Sequence, residues 1–149
     1  MSKTAVYFTD VRWTGEHRGH LRMGNGPEMP FSAPPDARGH SGVLTPEDAF
    51  VAAANTCVMM MFLWACERFK LHLLAYECRA EGTKLIELNR TEIFTTLRLK
   101  PLIRIGLGGE PLAAVSARTR KALAAARKYS LVANSVKSEV LIEPEFHFE

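Results

Sequence analysis

The chain has 149 residues, of which 47% are hydrophobic and 23% charged, and 19 Lys and Arg against 16 Asp and Glu leave a net charge of +3. That is one domain's length, residues 1–149, with enough apolar side chains to bury a core unaided, so a disordered tail, a collagen-like fibre and a disulfide scaffold are excluded. No arginine-rich run or nucleic-acid motif accompanies the small positive balance, and nucleic acid is not an expected partner.

The opening MSKTAVYFTDVRW has no charged start followed by an apolar run and does not read as a secretion signal. The three cysteines are Cys57, Cys66 and Cys78. So few, and an odd number, suit a reducing, cytoplasmic setting. Residues 5–13 are rich in β-branched and aromatic side chains and predict a strand. A turn at 15–19 and a short strand at 20–23 follow. Residues 24–42 carry Pro27, Pro30, Pro34 and Pro35 with four glycines, and predict a loop holding one edge strand at 29–32.

A helix start is then written plainly. Thr45 is placed to cap, Pro46 fills the first position, where a missing N–H costs nothing, and Glu47 and Asp48 face the positive helix end. The helix should reach about residue 69. Residues 49–65 carry no charge over 17 positions, which touches the lower bound of the ~17–25 residues a membrane span needs. Asn55, Thr56 and the flanking acids favour a fully buried core helix over a membrane span. A helix with no polar face needs protein on nearly all sides, which one chain of this size rarely supplies, and a dimer is expected. Strands are predicted at 71–80 and 87–99 with a hairpin turn near 83–85, and residues 101–109 read as a connection. Pro111 opens a second helix to about 129, a short helical piece covers 131–136, and 139–148 closes as a strand. Strands before, between and after two helices, with a central antiparallel pair, make this α+β.

Cys57 lies inside the apolar helix. Read from composition, it is a core cysteine, since free cysteine packs as a small hydrophobe. A reactive thiol needs a neighbouring cation, which the helix itself does not provide. His17, His20 and His40 show no ligand spacing, so no metal is expected. Gly106, Gly108 and Gly109 before Glu110 read as a loop, with an anion site at the following helix start as the lesser alternative. Arg118, Arg120, Lys121, Arg127 and Lys128 read as the solvated face of the second helix. Met59, Met60, Met61, Phe62 and Trp64 read as core.

The run Thr45-Pro46-Glu47-Asp48-Ala49-Phe50-Val51-Ala52-Ala53-Ala54-Asn55-Thr56-Cys57 resembles the helix signature of the OsmC/Ohr family, the osmotically inducible and organic hydroperoxide resistance proteins. In that pattern a reactive cysteine lies ten positions after the glutamate. Trp13-Thr14-Gly15 with Arg18-Gly19 resembles the family's first hairpin, and residues 129–136 resemble the segment holding its second cysteine. The resemblance implies an intertwined α+β homodimer, with two central buried helices, antiparallel sheets wrapped around them and sites at the interface. It implies a peroxidase in which Cys57 attacks an organic hydroperoxide, Arg18 supports the thiolate and Glu47 holds the arginine, with no metal or organic cofactor. Arg12, Arg22 and Arg38 are rivals to Arg18. Ten helical residues rise ~15 Å, so Arg18 and Glu47 would serve the Cys57 of the other chain. The second-cysteine position holds Ser130, which cannot form a disulfide. Cys66 lies ~13.5 Å along the helix on its opposite face, and Cys78 lies on a predicted strand. An external thiol reductant is therefore expected. The alternative is a non-catalytic dimer that binds a small apolar ligand or is structural. Acyl transfer at Cys57 ranks last, because no His or Asp is placed to support it.

Overall fold

A computed structural model describes residues 2–149. The chain forms two compact units, one ending at Phe50 and the other spanning Val51–Glu149.

The first unit is a three-stranded antiparallel sheet of β1 (Thr9–Gly15), β2 (Arg18–Met23) and β3 (Glu28–Ser32) in that order. The first strand starts later than its β-forming composition suggests, because pairing with β2 begins only at Thr9↔Met23. β2 instead starts earlier, at Arg18, opposite Ser32. Gly19 is required here. A Cβ at this position would lie 2.6 Å from the Phe31 ring and 2.8 Å from the Arg12 carbonyl oxygen.

Helix α1 (Pro46–Arg68) starts as its sequence dictates, with the Asp48 N–H donating to Thr45 Oγ1 at 3.1 Å. Its far end closes with Lys70 in the left-handed region (φ 54°) and the Leu71 N–H bonded to the Cys66 carbonyl. That six-to-one bond satisfies a carbonyl the helix leaves open. Arg118 satisfies two more carbonyls, those of Phe69 and Lys70, while its guanidinium forks onto Glu110 at 2.7 and 2.9 Å. This bond to Arg118 holds the Glu110 carboxyl below the usual carboxylate range. Glu110 thus sits within the glycine-bearing loop and is committed to Arg118.

The second unit is built on a long antiparallel hairpin, β4 (His72–Ile86) and β5 (Glu92–Gly106). The turn is at residues 87–91 and not at 83–85. Gly82 and Thr83 lie within the strand, where Gly82 lets α1 come close: a Cβ there would meet Val51 Cγ2 at 2.7 Å and the Phe94 ring at 2.9 Å. Residues 101–106, expected as connection, continue β5. Pro101 is tolerated because β5's outer neighbour changes at that point, from β6 (Glu139–Ile142) beside residues 96–99 to β7 (Glu145–Phe148) beside 102–105. The outward carbonyls of Leu99 and Ile105 accept from Glu143 and Glu149, so the N–H that proline lacks faces the gap between the two short strands. Both pair parallel to β5, so the predicted closing strand is two strands broken at Pro144. Between β5 and β6 lie α2 (Leu112–Tyr129) and α3 (Leu131–Ser135).

Alternate residues of β5, Leu97, Leu99, Pro101, Ile103 and Ile105, are almost wholly buried. Phe62, Ala65 and Cys66 of α1 and Val115, Ala122, Leu123 and Ala126 of α2 join Ile103 and Ile105 in one core. By length and composition α1 could span a membrane, yet here it packs into a protein core. One chain covers only part of it. Ala53, Thr56, Met60 and Trp64 form an exposed stripe, with Met60 57% and Trp64 44% exposed.

Gly82→Ala should destabilise the fold by about 1–3 kcal/mol through overpacking against Val51. Urea unfolding would measure it, and Val51→Ala in the same chain should recover most of the loss. Destabilisation unchanged by the second substitution would show that the α1–β4 approach is not its cause.

Candidate functional site

Seen down the α1 axis, each residue turns ~100°, so Cys57, Met61, Trp64 and Arg68 share a flank that points away from the residues packed on the sheet. Cys57 is half-buried there. Ser130 meets it from the end of α2, with Oγ 3.2 Å from Cys57 Sγ. Ser130 is fully buried and caps α3, its Oγ accepting from the Ala133 N–H at 3.2 Å. A hydroxyl has one proton. With Ala133 donating to the oxygen, that proton is directed at the sulfur.

Of the four residues singled out in the sequence, Cys57 and Ser130 are brought into contact. Arg18 heads β2 and Glu47 lies in the first turn of α1, both in the first unit. Among the described residues, no side-chain hydrogen bond or ion pair joins these two to each other. Arg12 and Arg22 lie on β1 and β2, and Arg38 has a left-handed backbone (φ 69°). His20 pairs with Glu28 and His40 with Glu16, each at 3.3 Å.

The other two thiols differ in kind. Cys66 is buried in the core, and desolvation with Glu67 nearby pushes its pKa up to about 11. Cys78 lies on the helix-covered face of β4, opposite Pro101, and its carbonyl accepts from the Asn55 side chain at 3.1 Å. Burial raises the Cys78 thiol too. Beside it the Tyr76 hydroxyl is buried with no hydrogen-bond partner of good geometry, and burial raises it strongly. These two groups stay protonated at neutral pH.

Beyond the thiol along α1 lies a cleft of about 540 Å³ between the C-terminal halves of α1 and α2, lined by Trp64, Arg68, Phe69, Lys128 and Tyr129 among others. The Trp64 and Tyr129 rings meet edge-on at 6.4 Å, with Arg68 over Trp64 at 5.5 Å and Lys128 over Tyr129 at 5.2 Å. Trp64 is two helical turns from Cys57, about 10.5 Å. This cleft was not singled out from the sequence, although positions 57, 61, 64 and 68 keep helical spacing and Tyr129 adjoins Ser130. The basic residues of α2, expected as a solvated face, are mostly engaged. Arg118 clamps α1, Arg120 lies over the Phe146 ring, and Lys128 covers Tyr129.

The profile of the OsmC-like protein family matches residues 39–145. No curated protein sequence matches the chain. Among solved structures, an OsmC-like protein of unknown function from Vibrio cholerae is 21% identical with a TM-score of 0.84, covering 95% of this chain and 100% of its own. An organic hydroperoxide resistance protein from Elizabethkingia anophelis is 15% identical with a TM-score of 0.70, covering all of both chains. One from Legionella pneumophila is 16% identical with a TM-score of 0.68, covering 97% of this chain and 98% of its own.

Iodoacetamide at pH 8 should alkylate half-buried Cys57 ahead of the other thiols. A thiol titrating near 11 is only about one part in a thousand thiolate at that pH, so Cys66 should label only in strong base or after unfolding. Peptide mass mapping over time checks this. Equal rates at Cys57 and Cys66 in the folded protein would contradict the environments described.

Proposed function

The chain belongs to the OsmC-like protein family, and from that premise we propose that it is a thiol-dependent peroxidase that reduces organic hydroperoxides through Cys57. It works as a cytoplasmic homodimer, needs no metal or organic cofactor, and relies on an external thiol as reductant. The observation that carries the reading is the 3.2 Å contact between Cys57 Sγ and Ser130 Oγ. It supports a half-buried thiol with a polar partner at the position where a second cysteine would otherwise serve. Two of the structural neighbours are named organic hydroperoxide resistance proteins.

The Cys57 thiolate attacks the peroxide oxygen distal to carbon. The O–O bond breaks, the sulfur is oxidised to sulfenic acid, and the alkoxide takes a proton and leaves as an alcohol. Ser130 cannot condense with the sulfenic acid. An external thiol therefore forms a mixed disulfide with loss of water, and a second equivalent releases the Cys57 thiol with a disulfide as product. Met61 and Trp64, on the same α1 flank, give the peroxide's organic group an apolar wall. Arg18 of the partner chain steadies the thiolate and the peroxide oxygens, and its paired hydrogen bonds to Glu47, which a single chain does not make, form on assembly.

The homodimer is supported by apolar surface left open. Besides Met60 and Trp64, Val11 is 68% and Trp13 76% exposed on β1. Side chains of this size gain about 1.5–3 kcal/mol each when buried. In the dimer the exposed stripe of α1 meets its counterpart, which completes the cover that the apolar helix requires.

With one equivalent of cumene hydroperoxide, reduced protein should give a dimedone-trapped sulfenic acid at Cys57, absent in Cys57→Ser. In Ser130→Cys the same treatment should yield a disulfide between Cys57 and the introduced thiol, seen as a loss of two mass units and no dimedone adduct. No sulfenic acid in the unsubstituted protein would overturn the peroxidase reading and favour a non-catalytic dimer binding a small apolar ligand. For the assembly, sedimentation should give twice the chain mass, and Met60→Glu should shift it toward one chain while leaving far-UV circular dichroism intact. A monomeric unsubstituted protein would overturn the dimer.

A further inference from the structure

We propose that the trough between α2 and the β6–β7 edge is a binding site for a medium-chain organic carboxylate, separate from the Cys57 thiol. The cavity measures about 380 Å³, within the ~300–1,000 Å³ typical of small-molecule sites. Arg120, Leu123 and Arg127 line it from α2, at the spacing that places them on one helix face. Val140 and Ile142 of β6 and Phe146 of β7 form the opposite wall. Of the residues lining this trough, only Ala124 also lines the cleft beside Trp64 and Tyr129.

Charge decides the ligand class. Arg79, Arg98, Arg104 and Arg118 of this unit each have a carboxylate partner, namely Glu81, Glu143, Glu149 and Glu110. Among the described residues, no ion pair or side-chain hydrogen bond reaches Arg120 or Arg127, and both border the same apolar trough. Arg120 lies over the Phe146 ring at 4.9 Å, a contact to the ring face that does not need a counter-anion. The acids flanking Pro144 are committed elsewhere, Glu143 to Arg98 and Glu145 to His147. Two guanidinium groups without counter-charge at the rim of an apolar trough select an anion with an apolar body. The planar fork fits a carboxylate by two parallel hydrogen bonds. Half-buried Arg127 holds the head group while the chain lies between Leu123 and Ile142.

Isothermal titration of the reduced full-length protein with decanoate tests this, with decyltrimethylammonium as the cationic control. Decanoate should bind saturably, one per chain, and decyltrimethylammonium should not. Arg127→Gln should weaken decanoate by about tenfold or more, the worth of a charge-assisted hydrogen bond. Arg127→Glu should lose decanoate and gain the cation, a reversal that misfolding could not produce. Prior alkylation of Cys57 should leave decanoate binding unchanged. Absence of saturable binding in the millimolar range, equal binding by Arg127→Gln, or loss of binding on Cys57 alkylation would each overturn the proposal.

Discussion

The packing of an all-apolar helix on one stripe of one strand is the constraint from which the rest follows. β5 offers alternate buried side chains from Leu97 to Ile105, and α1 answers with Phe62, Ala65 and Cys66. The contact is close enough that Gly82 has no room for a methyl group. Because α1 is held at this depth and rotation, Cys57 falls on the flank turned from the sheet, where the end of α2 delivers Ser130. Had the helix rolled by one residue, ~100°, the thiol would leave Ser130. The clamp at the far end works to the same effect. Arg118 of α2 holds the Phe69 and Lys70 carbonyls just past the end of α1, so the two helices that build the site share one frame.

The three thiols show how one residue type is sorted by its surroundings. Cys66 behaves as core, with its proton held tightly by burial. Cys78 is also held protonated, beside a tyrosine hydroxyl without a good partner. Only Cys57 combines partial access with a directed hydroxyl. The distinction rests on where the fold places each thiol, for Glu67 follows Cys66 and Glu77 and Arg79 flank Cys78.

Much of the fold was legible because local chemistry and final structure agree. Thr45, Pro46, Glu47 and Asp48 announce a helix start in any context, and the structure has one there. The α+β order and the family signature were equally readable. The hairpin turn was not. Residues 83–85 read as a turn, but they lie within β4, and Gly82 before them serves helix approach within the strand, a tertiary requirement without local trace. Pro101 reads as a strand end for a sound reason, its missing donor, yet β5 runs on because its neighbours change at that residue. In the site, Cys57 and Ser130 could be paired through the family resemblance, while the engagement of Arg118, Arg120 and Lys128 could not. Charged residues on a helix look solvated until the opposing aromatic ring or carbonyl is known. The exposed stripe of α1 is a different case, for there the sequence implied cover that a single chain does not provide.

The parallel pairing of β6 and β7 with β5 bears on the order of assembly. The β4–β5 hairpin is a local structure that can form as soon as its two strands exist. β6 can dock only after α2 and α3 have crossed back, since parallel neighbours need a long connection and non-local pairing is slow. Ser130 lies in that crossover, 73 residues from Cys57, so the hydroxyl reaches the sulfur only once α2 has packed back against α1. Until then the thiol stands in a helix without its partner, and chaperoning of the nascent chain would also be protection of its redox state.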